Sequence, residues 1–167
     1  MVCFGIDPGI GTMGYGVVED IGSVMTALDY GAISTEPGLP ISVRLSDLYH
    51  ELMSKMRAHS PDVVAVERLY FGRNSTTAEM VFQARGVILL AVANMGVVPY
   101  EPKPSEVKIA VCGNGSAEKS QVQGMVRRLL NLDESPRPDD AADALAIAIT
   151  GLSLAQFEDH KNRSVGA

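Results

Sequence analysis

The chain has 167 residues, of which 46% are hydrophobic and 20% charged, with 14 basic and 20 acidic side chains. This composition is typical of one globular domain and excludes an intrinsically disordered chain. The absence of a long uncharged apolar run, of a signal-peptide pattern and of paired cysteines predicts a reduced, cytoplasmic protein with no membrane span and no zinc site.

Hydrophobic patterning predicts alternating strands and helices. In chain order they are strands over 2–6, 15–19 and 24–34, a helix over 41–59, a strand over 62–66, a helix over 75–94, a strand over 97–100, and helices over 105–111, 116–132 and 138–152. The first three strands are spaced closely enough for an antiparallel meander. We expect an α/β domain over residues 1–155, with a five-stranded mixed sheet flanked by helices, and a loose polar tail over 156–167.

Two glycine-containing segments match phosphate-binding motifs only in part. Residues 9–14 fit the pattern GxGxxG, but they lead into a strand, whereas dinucleotide binding requires a helix N-terminus there. Residues 113–120 nearly fit the P-loop, but Glu118 replaces a required glycine and its carboxylate would repel a phosphate. We therefore predict no nucleotide site, and a flexible hairpin beside Asp7.

Four carboxylates lie at the ends of predicted elements. Asp7 closes the first strand and Glu67 the fourth, while Asp140 and Asp143 share a face at the start of the last helix. Taken singly, such acids are explained by solvation or by the helix dipole. Adjacent strand ends below the helix start would place all four in one pocket, where their charges require protonation or a bound cation. Oxygen ligands alone select Mg²⁺ or Mn²⁺, and two such ions ~3.5–4 Å apart support in-line phosphodiester hydrolysis.

Five segments in this order carry a family resemblance: GIDPG at 5–9 with Gly14, VE at 66–67, QARGV at 83–87, GSAEKSQV at 115–122 and DAADALA at 140–146. Together they resemble the RuvC family, bacterial Holliday junction resolvases of the ribonuclease H-like superfamily. The resemblance implies a ribonuclease H-like fold and a homodimeric endonuclease that resolves four-way DNA junctions by paired symmetric nicks in recombination and repair. It also implies action with a branch-migration motor complex of the RuvA-RuvB type and a preferred cleavage sequence.

The resemblance assigns roles to the acids by motif. Asp7, Glu67, Asp140 and Asp143 would be the catalytic and metal-binding residues, holding two Mg²⁺ ions per subunit, for which Mn²⁺ can substitute. Asp139 precedes the motif's first aspartate and is treated as a bystander.

The middle of the chain is basic between two acidic flanks. Residues 1–67 carry 3 basic and 9 acidic side chains, residues 68–128 carry 8 and 4, and residues 129–167 carry 3 and 7. Lys108 and Lys119 fall in segments that resemble the family's DNA-contacting lysines, and Arg68, Arg73 and Arg85 lie nearby in sequence. Such residues contact phosphates and set affinity without reading sequence. A solvated surface is the alternative explanation of these charges.

Two further features point to DNA and to a second subunit. Tyr70 and Phe71 follow Glu67 in a predicted loop, and aromatic rings there can stack on unpaired bases, as the resemblance also implies. Packing on the core is the alternative for at least one of them. The predicted helix over 75–94 is apolar around much of its circumference, so it requires two partners: the sheet, and either a second subunit or neighbouring helices.

Rival functions remain open from the sequence. Another ribonuclease H-like nuclease could act on different branched or RNA-containing substrates, although the GSAEKSQV segment favours the resolvase. A non-catalytic junction-binding protein would not require all four acids. A sugar-kinase or actin-like ATPase also opens with a strand-end aspartate, but it needs two such domains, which 167 residues cannot supply.

Overall fold

A computed structural model describes residues 1–69 and 75–165, with the side chains of 75–77 and 165 excepted. Its strands are β1 (Val2–Asp7), β2 (Thr12–Ile21), β3 (Val24–Ser34) and β4 (Val63–Val66). Its helices are α1 (Ile41–His59), α2 (Ser75–Asn94), α3 (Pro104–Cys112), α4 (Lys119–Leu129) and α5 (Asp139–Val165).

The strands form one mixed sheet in the order β3-β2-β1-β4. β1, β2 and β3 pair antiparallel, as their close spacing predicts, whereas β4 lies parallel to β1. Successive side chains of a strand face opposite sides. Cys3 and Ala65 therefore pack against α3, α4 and α5, while Phe4 and Val64 pack against α1 and α2. The same alternation directs the side chains that end β1 and follow β4 toward α5.

The predicted fifth strand over 97–100 is wrong, because in the described part of the chain it is a single parallel bridge between Tyr100 and Ala65. The amide of Tyr100 donates to Val64, and the carbonyl of Tyr100 accepts from Val66, each at 2.9 Å. Two residues on, the carbonyl of Pro102 accepts from Arg68 at 2.9 Å. Pro102 has no N–H to donate in return, so the ladder stops and the sheet has four strands.

Both ends of α4 also differ from the prediction. α4 begins at Lys119 rather than at 116, because the amide of Glu118 donates to the side chain of Gln121 at 2.8 Å and so closes the helix start there. It ends at Leu129, short of the predicted 132.

α5 continues to Val165, so the prediction of a loose tail is wrong over 156–165. The side chain of Gln156 donates to Asp20 on β2, and the hydroxyl of Tyr100 donates to Glu158 at 2.6 Å. By length and composition α5 could cross a membrane, but 67% of its most apolar window is buried inside this fold. It is the central helix of the domain.

Glycines bring α5 into backbone contact with the sheet. A Cβ atom added to Gly5 would lie 2.2 Å from the carbonyl oxygen of Ala144, and one added to Gly14 would lie 2.0 Å from that of Asp140. No larger side chain fits at either position. This contact fixes the first turns of α5 above the ends of β1 and β2.

Candidate active site

Three of the four predicted acids surround one cavity of about 200 Å³ at the end of the sheet. Asp7, Glu67 and Asp143 line it together with Lys108 of α3 and Lys119 of α4. Apolar side chains complete its wall: Pro104, Val107, Val122 and Ala146. The cavity therefore brings three carboxylates and two lysine side chains together beside an apolar wall.

Asp7 and Glu67 lie side by side because β1 and β4 are parallel and in register. Ile6 is paired with Val66, and the amide of Glu67 donates to the carbonyl of Ile6 at 3.1 Å. The next residue of each strand is the acid. Asp140 is half-buried in the first turn of α5, where Gly14 contacts its backbone.

The turn after Asp7 is held in place by a contact that the sequence did not indicate. Arg44 of α1 donates from Nε to the hydroxyl of Thr35 at 2.9 Å and from Nη2 to the carbonyl of Ile10 at 3.3 Å. The buried Thr35 hydroxyl also donates to Ile10. The hairpin predicted beside Asp7 is present, and these hydrogen bonds tie its turn to α1 and to Thr35. Arg44 stands 34 residues from Ile10 and fits no motif, so no sequence signal marked it.

Burial and mutual repulsion disfavour the charged forms of the two strand-end acids. The pKa of Asp7 is raised to about 7, first by burial and then by the charges of Glu67, Asp143 and Asp140, while Lys119 opposes the shift. The pKa of Glu67 is also raised to about 7, by burial and then by Asp143. A bound cation would remove this repulsion and restore the ionised forms.

Lys119 supplies the nearest positive charge to the α5 acids. Its Nζ lies 2.9 Å from Asp143 and 3.5 Å from Asp139, and the bond to Asp143 is the main cause of its raised pKa. Within residues 1–69 and 75–165, no three ligand side chains converge closely enough to enclose a metal ion. The donor set nevertheless fits a hard divalent cation, because it consists of crowded carboxylates whose ionised forms lack sufficient counter-charge.

The other predicted DNA-contacting residues differ in exposure and in the contacts they make. Lys108 is half-buried, lines the same cavity as Glu67 and opposes the rise in the pKa of Glu67, whereas Arg68 has an exposed side chain. Arg85 forms a half-buried ion pair with Glu101, so its guanidinium is not available to DNA. Three further candidates, Tyr70, Phe71 and Arg73, lie outside the described residues.

Residues 3–151 match the family model described as crossover junction endodeoxyribonuclease RuvC. The chain belongs to the RuvC family. A crossover junction endodeoxyribonuclease RuvC of Chloroflexus aggregans is 54% identical over 149 residues, which cover 89% of this chain and 91% of that one. The Brevibacillus brevis protein of the same name is 49% identical over 157 residues, covering 94% and 95%. Thermus thermophilus RuvC in complex with Holliday junction substrate is similar at a TM-score of 0.86 and 36% identity, covering 94% of this chain and 96% of that chain.

RuvC membership confirms the ribonuclease H-like fold and the nuclease class that the five segments implied. Nucleases of this family are metal-dependent hydrolases. The individual roles assigned to Asp7, Glu67, Asp140 and Asp143 stay predictions. The cavity in which Asp7, Glu67 and Asp143 meet is consistent with those roles.

Proposed function

We propose that this RuvC-family chain resolves four-way DNA junctions by paired symmetric nicks, through metal-dependent phosphodiester hydrolysis, in recombination and repair. The observation that carries the proposal is the single cavity in which Asp7, Glu67 and Asp143 meet Lys108 and Lys119. The Thermus thermophilus complex with a Holliday junction substrate supports the substrate class.

In this proposal, Asp7, Glu67, Asp140 and Asp143 would hold two Mg²⁺ ions per subunit, with Mn²⁺ able to substitute. Such ions supply an activated water and stabilisation of the leaving oxygen when bound. The protein's own contribution is to hold acids together that repel one another. β1 and β4 fix two of them by register, and the backbone contact at Gly14 fixes the helix that carries the others.

The two lysines orient the DNA phosphate in this proposal. Lys108 and Lys119 line the same cavity from neighbouring helices, so a phosphate that enters meets both ammonium groups. Lys119 has 53% of its side chain exposed, and exposed ion pairs contribute little stability. Lys119 can therefore leave its ion pair with Asp143 and bind a phosphate oxygen with little loss of stability. Asp143 is then free to bind a cation.

Residues that follow Glu67 complete the proposed DNA surface. In this proposal the exposed Arg68 contacts the phosphate backbone next to the cavity. We also assign Arg73 to phosphate contact, and Tyr70 to stacking on a base unpaired at the junction, worth ~1–3 kcal/mol per base. Phe71 is the alternative stacking residue.

An apolar outer side of α2 supports a homodimer. Ile88 and Ala91 face the core, yet Leu90 on the other side is 56% exposed and Gly86 has open space beside it. Helices that are apolar on two sides pack against two partners. A second copy seated there would provide the second active site that paired nicks require. Action beside a branch-migration motor complex of the RuvA-RuvB type and a cytoplasmic location belong to the same proposal.

The decisive experiment compares an immobile four-way junction with a linear duplex of the same sequence, each with Mg²⁺ and with EDTA. We expect two nicks at symmetric positions in the junction, none in the duplex, and none in EDTA. Equal cutting of the duplex would favour a different ribonuclease H-like nuclease. Tight junction binding without cutting would favour a non-catalytic binding protein.

A further inference from the structure

The segment between α4 and α5 carries two arginines that the proposed active site does not use. Arg127 lies in the last turn of α4 and Arg137 shortly before α5, and both line a cavity of about 460 Å³. Across residues 1–69 and 75–165, neither forms a side-chain ion pair. Two guanidinium groups with unused donors at one cavity favour an anion that accepts hydrogen bonds from both.

Arg127 is held in position before any ligand arrives. Its Nε donates to the backbone carbonyls of Leu132 at 3.2 Å and Asp133 at 3.1 Å. These bonds leave the terminal nitrogens of the guanidinium for a ligand. A side chain that is already ordered loses less entropy on binding, so this geometry favours affinity.

A continuous surface connects these arginines to the nuclease site. Lys119, Gln123 and Arg127 are spaced four residues apart and share one face of α4. Gln123 lines a second cavity of about 440 Å³, which shares Ser135 and Arg137 with the first and reaches Asp139. Asp139 in turn lies 3.5 Å from Lys119. The two cavities thus form one groove that leads away from the active site.

We propose that this groove is a second phosphate-binding site, in which Arg127 and Arg137 hold the sugar-phosphate backbone of a junction arm beyond the cleaved phosphate. The proposal rests on the proposed resolvase function and extends it. Lys119 and Arg127 are eight positions apart, which corresponds to about 12 Å of helix. At about 3.4 Å per nucleotide, this distance corresponds to three or four nucleotides of a duplex.

Two carboxylates oppose the arginines in the same cavity. Asp133 and Glu134 are exposed and line it, but the carboxylate of neither forms an ion pair with Arg127 or Arg137 within the described residues. A phosphate bound there would be repelled by them. The proposal therefore requires effects of opposite sign from neighbouring substitutions, which a general loss of structure would not produce.

The test measures junction binding in EDTA, where the DNA stays intact, over a range of salt concentrations. We expect Arg137→Ala and Arg127→Ala each to weaken binding about threefold to tenfold and to lower the slope of log K against log salt by about 0.9. Glu134→Gln should tighten binding. Arg57→Ala is the matched control, because Arg57 is exposed on α1 at the opposite face of the sheet.

The side chain of Arg137 is exposed and forms no ion pair within the described residues, so we expect its substitution to leave the fold intact even if Arg127→Ala lowers the melting temperature. Neutral methylphosphonate linkages at the third and fourth phosphates on either side of the cleavage position should reproduce the loss with the wild-type protein. They should add nothing further to the double variant Arg127→Ala/Arg137→Ala, which already lacks both contacts.

An unchanged salt slope in both arginine variants, with a wild-type protein that cuts the junction in Mg²⁺, would overturn the groove proposal alone. A wild-type protein that does not cut the junction would overturn the proposed function itself. Weaker binding of both variants, with normal cleavage at saturating DNA, would support the groove.

Discussion

The two faces of the sheet are packed in different ways. The face toward α1 and α2 buries large side chains that interdigitate, among them Phe4, Ile6, Met13, Leu52 and Met56. The face toward α5 carries Gly5 and Gly14, where helix and sheet meet backbone to backbone. The packing of α1 and α2 buries apolar area, whereas the backbone contacts at Gly5 and Gly14 fix the position of α5 on the sheet.

This difference explains where the proposed chemistry lies. Asp140 and Asp143 belong to the helix on the closely packed face, and Asp7 projects toward it. Large side chains can rearrange around a substitution at the cost of stability, but two backbones in contact can only move apart. Changes on the α5 face should therefore alter cleavage first, and changes on the α1–α2 face should alter stability first.

The largest effect should come from the acids of the α5 face. We expect Asp140→Asn or Asp143→Asn to reduce junction cleavage at least ~10²-fold, because metal ligation supplies several kcal/mol of transition-state stabilisation. Junction binding should persist or tighten, since less negative charge faces the phosphates. Asp139→Asn is the control and should have a far smaller effect. Near-normal nicking by both variants would show that Asp140 and Asp143 are not metal ligands.

Gly14→Ala tests the backbone contact directly. Its methyl group would lie 2.0 Å from the carbonyl oxygen of Asp140, so the first turn of α5 must move. Because a displacement of about 1 Å can cost about 10²-fold in rate, we expect cleavage to fall at least tenfold in molecules that remain folded. Cleavage and circular dichroism should be measured on the same preparation. Normal cleavage would show that the helix position is not critical.

Leu52→Ala is the counterpart on the other face. Leu52 is fully buried in the α1–α2 cluster, and its truncation should lower the free energy of unfolding by about 2–5 kcal/mol. Below the melting temperature, cleavage per folded molecule should stay close to wild type. A strong loss of cleavage without loss of stability would erase the distinction between the two faces.

Without metal, the acid pocket should make stability depend on pH. The carboxyls of Asp7 and Glu67 have ordinary pKa values of 3.8 and 4.5, and in the folded protein both are raised to about 7. Between these values the folded state binds more protons than the unfolded state, so stability falls as the pH rises toward the folded pKa. In EDTA we expect at least about 1 kcal/mol less stability above that pKa than at the ordinary values.

Asp7→Asn should flatten this pH dependence, and so should Mg²⁺ added to the wild-type protein. The comparison with Asp7→Asn separates the pocket from histidines elsewhere in the chain. An identical pH profile in wild type and variant, measured by chemical denaturation, would show that the dependence does not arise in the acid pocket.

The smallest effect on the junction reaction should come from substitution of Lys119, which lines the acid cavity. Lys119→Ala should weaken junction binding and reduce the salt dependence by about one phosphate contact. Lys161→Ala, near the distant end of α5, is the charge-matched control. If both variants keep the wild-type slope, Lys119 belongs to a solvated surface.

The sequence predicted the position of the acids because the signals for them are local. β1 and β4 are short apolar runs that each lead directly into a carboxylate, and Asp140 and Asp143 have helical spacing in an alanine-rich helix. Parallel pairing then brings the strand ends together. The order of the helices and the antiparallel meander could also be predicted, because their signals are local in sequence as well.

Errors arose where distant residues decide the local structure. The end of α5 lacks an apolar pattern, and it is held by Gln156 bonding to Asp20, 136 residues away. The fifth strand was lost through Pro102, which lies beyond the apolar run that predicted it. The pairing of Lys119 with Asp143 and the contact from Arg44 to Ile10 likewise depend on tertiary placement. No periodicity encodes such contacts.

The backbone around Glu67 is anchored on two sides. Its amide bonds to β1, and the neighbouring amides of Val66 and Arg68 bond to the segment at 100–102. The ion pair between Arg85 and Glu101 ties α2 to that same segment.

Glu67 is therefore held by bonds in which residues 70–74 take no part. Substitutions at 70–74 should accordingly leave Glu67 in register with β1.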